Sequence, residues 1–197
     1  MKKWWTAGFL SGCLLFSCVH FPKADGRLTT QGLPRPHYEC AKLHLSLDLY
    51  GDYWVHGFNR REMLNWNRSF AKLLDDGTGK PLQLLAAHTT VDPYCSALFL
   101  VYPKADSTTF AALEAQVKPT ATGLEKSQEI IGTQRYVILD YELRNPSLRV
   151  SDHHVEFLCL NGTKLLRASF WSREPDKEWL KKEAAGILET LDWRTGS

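Results

Sequence analysis

Leucine alternates with polar residues near the start of the folded part of the chain. Every second residue from 43 to 49 is leucine, and this two-residue period predicts a half-buried β-strand. The period then becomes helical, because apolar residues recur at Met63, Trp66, Phe70, Leu73 and Leu74. Asn59 and Glu62 have the spacing of a capping box. A strand followed by a helix is therefore predicted for this region.

Four further segments have the length and apolar character of strands. Residues 82–90 and 95–102 are separated by Val91-Asp92-Pro93-Tyr94, which has the composition of a turn. Residues 127–132 and 134–143 are similar, and the second places Val137, Leu139, Tyr141 and Leu143 on one side. The chain is thus expected to contain several antiparallel hairpins.

Two helices are predicted beside these strands. Ser107 is suited to cap the first, whose apolar face contains Phe110, Leu113 and Val117 and which ends before Pro119. Pro175 lies at the start of the second, which has one apolar stripe. The residues of that stripe are Leu180, Ala184, Ile187, Leu188 and Leu191.

Asn161-Gly162 is the clearest turn signal in the chain. A type I′ turn centred on these two residues would place Glu156 directly opposite Arg167. Such a cross-strand ion pair contributes about 0.2 to 1 kcal/mol, and the mixed polarity of this face predicts that it is only partly covered. Taken together, the elements predict an α+β domain with a mostly antiparallel sheet of about six strands flanked by helices.

The first eighteen residues have the pattern of a bacterial lipoprotein leader. Lys2 and Lys3 precede an apolar run at 4–16, which is too short to span a bilayer stably. Leu15-Phe16-Ser17-Cys18 matches the tetrapeptide at which lipoprotein signal peptidase cleaves. Cys18 is therefore the expected lipid attachment site.

Two alternatives to lipid attachment at Cys18 remain. Leu10-Ser11-Gly12-Cys13 also fits the tetrapeptide, which makes Cys13 a second candidate, and an ordinary secretory leader cleaved near Ala24 is the other. Under the preferred interpretation, residues 1–17 are the signal peptide, residues 18–37 form a flexible tether rich in Pro and Gly, and residues 38–197 form a single domain. Since Val19 rather than Asp follows Cys18, the outer membrane, with the domain facing the periplasm, is the expected location.

The charge balance argues against nucleic acid as a partner. The chain without residues 1–17 has 22 basic and 22 acidic residues, whereas a nucleic-acid binder needs a basic surface. Three cysteines remain in the domain, namely Cys40, Cys95 and Cys159. Outside the cytoplasm two of them could form a disulfide, and the alternative is that all three are small buried residues.

No arrangement of residues in the sequence specifies a catalytic site, a metal site or a cofactor. His44, Ser46 and Asp48 include the residue types of a nucleophilic triad, but alternate positions on one strand are about 7 Å apart, too far for the required hydrogen bonds. His153 and His154 are expected on opposite faces of a strand, which prevents joint chelation. The chain is accordingly expected not to be an enzyme.

Aromatic residues are dense around Gly51. Tyr50, Tyr53 and Trp54 are candidates for a partner-binding rim, since Tyr and Trp are enriched at binding hot spots. The competing interpretation places them in the core between the first strand and the first helix.

The order of elements resembles the PsbP-like α/β/α sandwich family. The similarity covers residues 38–193, with Gly132, Tyr136, Tyr141, Gly162 and the terminal Ile187-Leu188-Glu189-Thr190-Leu191-Asp192-Trp193 in the family's pattern. Members of this family include extrinsic proteins of photosystem II, a Ran-binding nuclear import factor and bacterial envelope lipoproteins. The resemblance implies a binding or assembly role and no reaction. Together with the leader pattern and the neutral charge, the expected partner is an envelope protein. An envelope hydrolase or small-ligand carrier that uses a pocket between sheet and helices is the alternative.

Overall fold

The computed structural model describes residues 23–29, 35–56, 68–74, 81–90, 92–146, 148–173 and 177–194. Within these ranges the chain forms a seven-stranded sheet and a four-stranded sheet, and all pairings between their strands are antiparallel. The large sheet has the order β4 (Tyr53–His56), β5 (Leu82–Thr89), β6 (Cys95–Tyr102), β10 (Lys164–Ser172), β9 (Val150–Asn161), β8 (Gln134–Asn145) and β7 (Thr122–Ile131). The small sheet has the order β1 (Arg27–Thr29), β2 (His37–Cys40), β3 (Leu45–Asp48) and β11 (Asp192–Trp193).

Three α-helices complete the described elements: α1 (Arg68–Leu73), α2 (Ser107–Val117) and α3 (Lys177–Leu188). A short 3-10 helix, Ala41–Leu43, precedes β3. The mostly antiparallel α+β architecture is confirmed, although the strands are more numerous than the sequence indicated. No helix among the described residues is long and apolar enough to cross a membrane.

The first core lies between the large sheet and a layer made of α3 and the small sheet. Alternate residues of the central strands point into it, including Phe99, Phe157 and Phe170, whose rings meet edge to face. The predicted stripe of α3 lies here with its residues buried, as do the predicted strand leucines. Burial of this apolar surface holds the small sheet and α3 against the large sheet.

The second core lies on the opposite face of the large sheet, beneath α1 and α2. Phe70 of α1 and Leu113 of α2 pack on residues such as Leu98, Leu139 and Tyr141. The predicted apolar side of β8, from Val137 to Leu143, faces this core. The large sheet is therefore covered by helices on both sides.

Three local predictions are corrected. The N-cap of α2 is Asp106, whose carboxylate accepts hydrogen bonds from the backbone N–H groups of Thr108 and Thr109, and not Ser107. Strand β7 begins at Thr122 rather than at residue 127. The β9–β10 turn consists of Gly162 and Thr163, because Asn161 pairs with Lys164.

The turn correction has a conformational cause. Gly162 has φ +61° and Thr163 is not in the left-handed region, which fits a turn that needs positive φ at its first central residue only. The whole register shifts by two residues, so that Arg167 lies opposite Leu158 and Glu156 opposite Ser169. A shift of two keeps every side chain on its predicted face. The expected capping box of Asn59 and Glu62 lies outside the described residues.

Candidate functional site

A buried ion pair lies inside the second core. Arg167 donates from Nε to Glu156 Oε2 at 2.6 Å and from a terminal nitrogen to Oε1 at 2.8 Å, and both side chains are fully buried. The Tyr141 hydroxyl also donates to this carboxylate, and Tyr102 lies 3.5 Å from the guanidinium. The two charges were expected on a partly covered face. Instead they are sealed from water. Burial acts to lower the pKa of Arg167, but the attraction of Glu156 leads the opposing contributions, and the pKa stays well above its usual value.

His154 is stacked beside this network. Its ring lies 5.4 Å from that of Tyr141 at 4° and 5.9 Å from that of Trp171 at 12°. Phe70 of α1 contacts it from above the sheet at 4.8 Å. Burial, reinforced by the nearby His153 and Arg167, holds the pKa of His154 well below its usual value, so the ring is neutral.

A cleft opens at one end of the large sheet, where β5 and β10 end and β6 and β9 begin. Its volume is about 740 Å³, which lies within the range typical of small-ligand sites. The residues that shape it are His88, Tyr94, Ser96, Asp152, Trp171 and Arg173. Tyr94 is 62% exposed at its rim, whereas Trp171 is 4% exposed in its wall.

Hydrogen bonds fix the walls of the cleft. Thr89 accepts from the Cys95 backbone N–H at 2.8 Å and donates to the Pro93 carbonyl at 3.1 Å, which holds the β5–β6 turn. Ser172 of β10 donates to the Tyr94 carbonyl at 2.6 Å. The backbone that carries Tyr94 is therefore tied to two strands.

One ion pair borders the cleft. Arg173 donates from Nε to Asp152 Oδ1 at 3.1 Å, and Asn145 lies 3.4 Å from the other carboxylate oxygen. Asp152 is 3% exposed, whereas Arg173 is 54% exposed. The buried carboxylate thus orients a guanidinium whose other side faces solvent.

The aromatic candidates divide between core and surface. Tyr53 is buried in the first core, where it contacts Cys95, so its prediction as part of an exposed rim is wrong. Tyr50 is half-buried beneath the Arg35 guanidinium, which lies 4.7 Å from its ring centre. Trp54 is 62% exposed. It lies directly opposite His88, beside the cleft.

All three cysteines of the domain are free and buried. Cys40, Cys95 and Cys159 belong to the first core, so the structure has no disulfide among them and corresponds to the alternative of three small core residues. Burial raises the pKa of Cys95 to about 12 and that of Cys159 to about 11. These thiols are therefore protonated at neutral pH and are poor nucleophiles. Cys13 and Cys18, the candidates for lipid attachment, lie outside the described residues.

The residues weighed for chemistry do not come together. His44 has a left-handed backbone ahead of β3, and Asp48 pairs with His37 at 2.6 Å rather than with His44. His153 and His154 face opposite sides of the sheet as expected, with His153 3.3 Å from Asp140. Among the described residues, no group of three His, Cys, Asp or Glu side chains is placed to hold a metal ion.

Sequence reasoning missed the cleft itself. Its residues come from four strands and a turn, and only the strand register brings them together. An available signal was the polar series Asp152, His154 and Glu156, which occupies every second position of one strand of a hairpin. The other strand contains Arg167, and Arg173 directly follows it.

The layered arrangement and strand order define a PsbP-like fold. CyanoP, the cyanobacterial PsbP of Synechocystis sp. PCC 6803, has a TM-score of 0.53 at 10% identity, with 84% of this chain and 96% of that one covered. LpqN of Mycobacterium tuberculosis, described as involved in cell envelope biogenesis, has a TM-score of 0.52 at 10% identity, with coverage of 86% and 91%. A protein of Bacteroides thetaiotaomicron VPI-5482 has a TM-score of 0.48 at 14% identity over 77% of this chain, which spans 46% of that one.

The likeness is one of structure. No protein-family model and no curated protein matches the chain in sequence. The resemblance expected from the order of elements is confirmed at the level of the fold.

Proposed function

We propose that this chain is a lipid-anchored protein of the bacterial envelope whose domain binds a ligand or partner without transforming it. The cleft of about 740 Å³ at the end of the large sheet is the observation that carries the proposal. The leader pattern ending at Cys18 supports anchoring at the outer membrane. The fold shared with LpqN, a protein described as involved in cell envelope biogenesis, is consistent with that location.

A hydrolase is the less favoured function for this cleft. Ser96 and His88 are direct cross-strand neighbours, as a nucleophile and its base would need to be. However, the candidate acid of such a triad, Asp152, is too far from His88 to bond to it. Asp152 is on β9, three strands away from β5, which is roughly 14 Å in a flat sheet. Asp152 also contacts Arg173. The geometry therefore supports binding over acyl transfer.

A small-ligand carrier is the second candidate. It is favoured by the size of the cleft and by the tied turn that supports its rim, since a preformed site does not lose binding energy to ordering. Both candidate functions place a binding partner in the cleft. For a carrier that partner is a small molecule, and for a binding or assembly protein it is another protein.

Native mass spectrometry of the detergent-released protein tests anchor and occupant together. We expect a chain that begins at Cys18 and carries acyl groups, with a fraction bearing a further noncovalent mass. Cys18→Ala should leave the leader uncut, whereas the matched variant Cys13→Ala should be processed normally. An unmodified Cys18 in the wild type, or loss of processing in Cys13→Ala alone, would contradict the anchor.

The same measurement tests the cleft. Tyr94→Ala should lose the noncovalent mass, whereas Ile130→Ala, which alters a 69% exposed side chain on the far edge strand β7, should keep it. A bound mass that persists unchanged in Tyr94→Ala, or a wild-type protein that never carries one, would count against the cleft as the binding surface.

A further inference from the structure

The end of the large sheet opposite the cleft has basic residues on its loops. At this end β5 and β10 begin, and β6 and β9 end. Lys104 follows β6, Lys164 follows the β9–β10 turn and Arg135 follows the β7–β8 turn. The Ala105 backbone N–H donates to the Thr163 carbonyl at 2.7 Å, so the loop after β6 lies beside the β9–β10 turn. The three basic residues therefore share one end of the domain.

The N-terminal part of the chain joins the domain at the same end. Lys23 forms a parallel bridge with Gln83 at the start of β5, and the Ala24 backbone N–H donates to the Gln83 carbonyl at 2.9 Å. Ala24 packs on the first core, and Gly26 lies so close to the Tyr38 hydroxyl group that a Cβ would collide with it. The chain is thus attached to the domain from Lys23 onward.

Lys23, Lys104, Arg135 and Lys164 form what we call the basic end, which extends over about five strand spacings, or roughly 24 Å. In the part of the chain that the structure describes, none of the four is in an ion pair. Exposed carboxylates of Asp106 and Glu189 lie near this end and are outnumbered. Other acidic residues close to it have cationic partners of their own, in the pairs Asp25–Lys42, Glu129–Lys181 and Asp192–Arg194.

The expected lipid attachment site is close to the basic end along the chain. Five peptide units separate Cys18 from Lys23, and they reach at most about 18 Å when fully extended. Acyl groups on Cys18 would therefore keep a lipid leaflet within that distance of the start of β5. A basic residue held near a leaflet with anionic headgroups favours contact by a factor of about five.

We propose that the basic end docks on the anionic phospholipid leaflet in which the chain is anchored. The cleft, at the other end of the same strands, then opens away from the leaflet. Strand β9 has 12 residues, so the cleft lies roughly 40 Å from the leaflet, where it is open to partners in the aqueous compartment. This inference rests on the lipid anchor of the proposed function and adds the surface with which the domain meets the membrane.

Fluorescence quenching of the full acylated protein in vesicles tests this orientation. A dye is attached through Thr163→Cys in the β9–β10 turn or, in a second protein, through Ser151→Cys near the cleft; both positions are exposed. Native Cys40, Cys95 and Cys159 are buried and do not compete for the dye. In vesicles of phosphatidylethanolamine and phosphatidylglycerol with a trace of nitroxide-headgroup lipid, we expect strong quenching at residue 163 and little at residue 151.

Removing the basic charges should abolish this difference. In the triple variant Lys104→Gln, Arg135→Gln and Lys164→Gln, the ratio of oriented to unoriented molecules should fall by about tenfold or more. Replacing phosphatidylglycerol by phosphatidylcholine, or adding salt, should have the same effect on the unsubstituted protein.

A matched triple variant separates the basic end from net charge. Lys118→Gln, Arg144→Gln and Arg149→Gln remove three exposed basic residues near the cleft end, and the difference in quenching between the two dyes should remain. Circular dichroism verifies that both triple variants fold.

Flotation of the same samples distinguishes the surface from the anchor. A protein that floats with both kinds of vesicle but is quenched equally at the two dye positions, or is unaffected by loss of the basic end, keeps its anchor and overturns this inference. Flotation with anionic vesicles alone, with the expected quenching, would support the basic end and contradict the lipid anchor. Flotation with neither kind of vesicle would contradict both.

Discussion

The two faces of the large sheet bury different kinds of side chain, although the same strands form both faces. On β9, Val155 and Phe157 enter the first core, while His154 and Glu156 enter the second. The first core is filled mainly by apolar side chains that pack by shape. The second encloses a full ion pair and a neutral histidine under α1 and α2, so its arrangement depends on directional contacts as well as on shape.

The ion pair is costly to bury, and its geometry explains why it is tolerated. Two hydrogen bonds join Arg167 to Glu156, and Tyr141 donates to the same carboxylate. Moving such charges out of water costs several kcal/mol for each ion unless partners of this kind compensate. These contacts connect β10, β9 and β8. We infer that they specify how the three strands align, and the second core thereby positions the Trp171 wall of the cleft.

Removing one partner of the ion pair should have the largest effect. Arg167→Met leaves Glu156 buried without its counter-charge, and we expect the free energy of unfolding to fall by about 3 to 5 kcal/mol. Urea denaturation followed by tryptophan fluorescence measures this loss. The matched variant Arg194→Met, in an exposed Arg–Asp pair, should change stability little.

A double variant sharpens the contrast between the cores. Replacing both partners, with Arg167→Met and Glu156→Leu, makes the second core apolar like the first and should recover most of the stability lost by Arg167→Met. If the single variant Arg167→Met were as stable as the wild type, the ion pair of Arg167 and Glu156 would not be held away from water. The two cores would then not differ in the way proposed.

A smaller loss is expected from truncation in the first core. Ile187 of α3 is 1% exposed, and Ile187→Val removes one methyl group from it, which costs about 0.5 to 1.5 kcal/mol. Urea denaturation again provides the value. A loss as large as that of Arg167→Met would mean that the first core also depends on a unique arrangement, and a loss of zero would mean that it is loosely packed there.

The sequence was sufficient for most elements because their patterns are local. The stripe of α3, the 82–102 hairpin and the two-faced pattern of β8 all follow from the spacing of apolar residues. Asn161-Gly162 indicated a hairpin correctly, yet the register was wrong by two residues. The dipeptide locates a turn, and backbone conformation at Gly162 and Thr163 decides which residues are central.

The candidate site was beyond local patterns. The ion pair of Glu156 with Arg167 was predicted correctly, but the two residues are not directly opposite each other and the pair is buried rather than partly covered. The burial could not be predicted, because cover by α1 and α2 arises from packing of elements distant in the sequence. The cleft requires that β5, β6, β9 and β10 be neighbours in one order, which depends on the long-range pairing of β6 with β10. Alternation predicts that Tyr53 and Trp54 occupy opposite faces of their strand. It does not say which of the two faces is buried, so Tyr53 and Trp54 could not be told apart from the sequence.

The smallest change at neutral pH is expected for His154→Phe, which keeps a flat ring between Tyr141 and Trp171. The two proteins should diverge in acid. Because the folded state holds the pKa of His154 well below 6.5, the unfolded chain binds a proton there that the native protein does not. The contribution of this residue to stability therefore falls as pH drops below about 6.5.

Chemical denaturation of both proteins between pH 7 and pH 4 checks this sign. His153, whose pKa is also lowered, and Asp140, whose pKa is raised, remain in both and cancel in the difference. The wild type should lose stability relative to His154→Phe as acid is added, because a charge on His154 would lie in the second core near Arg167. If the stability of the two proteins changed with pH in the same way, the second core would have to admit water at His154. It would then not be the dry core that the comparison with the first core assumes.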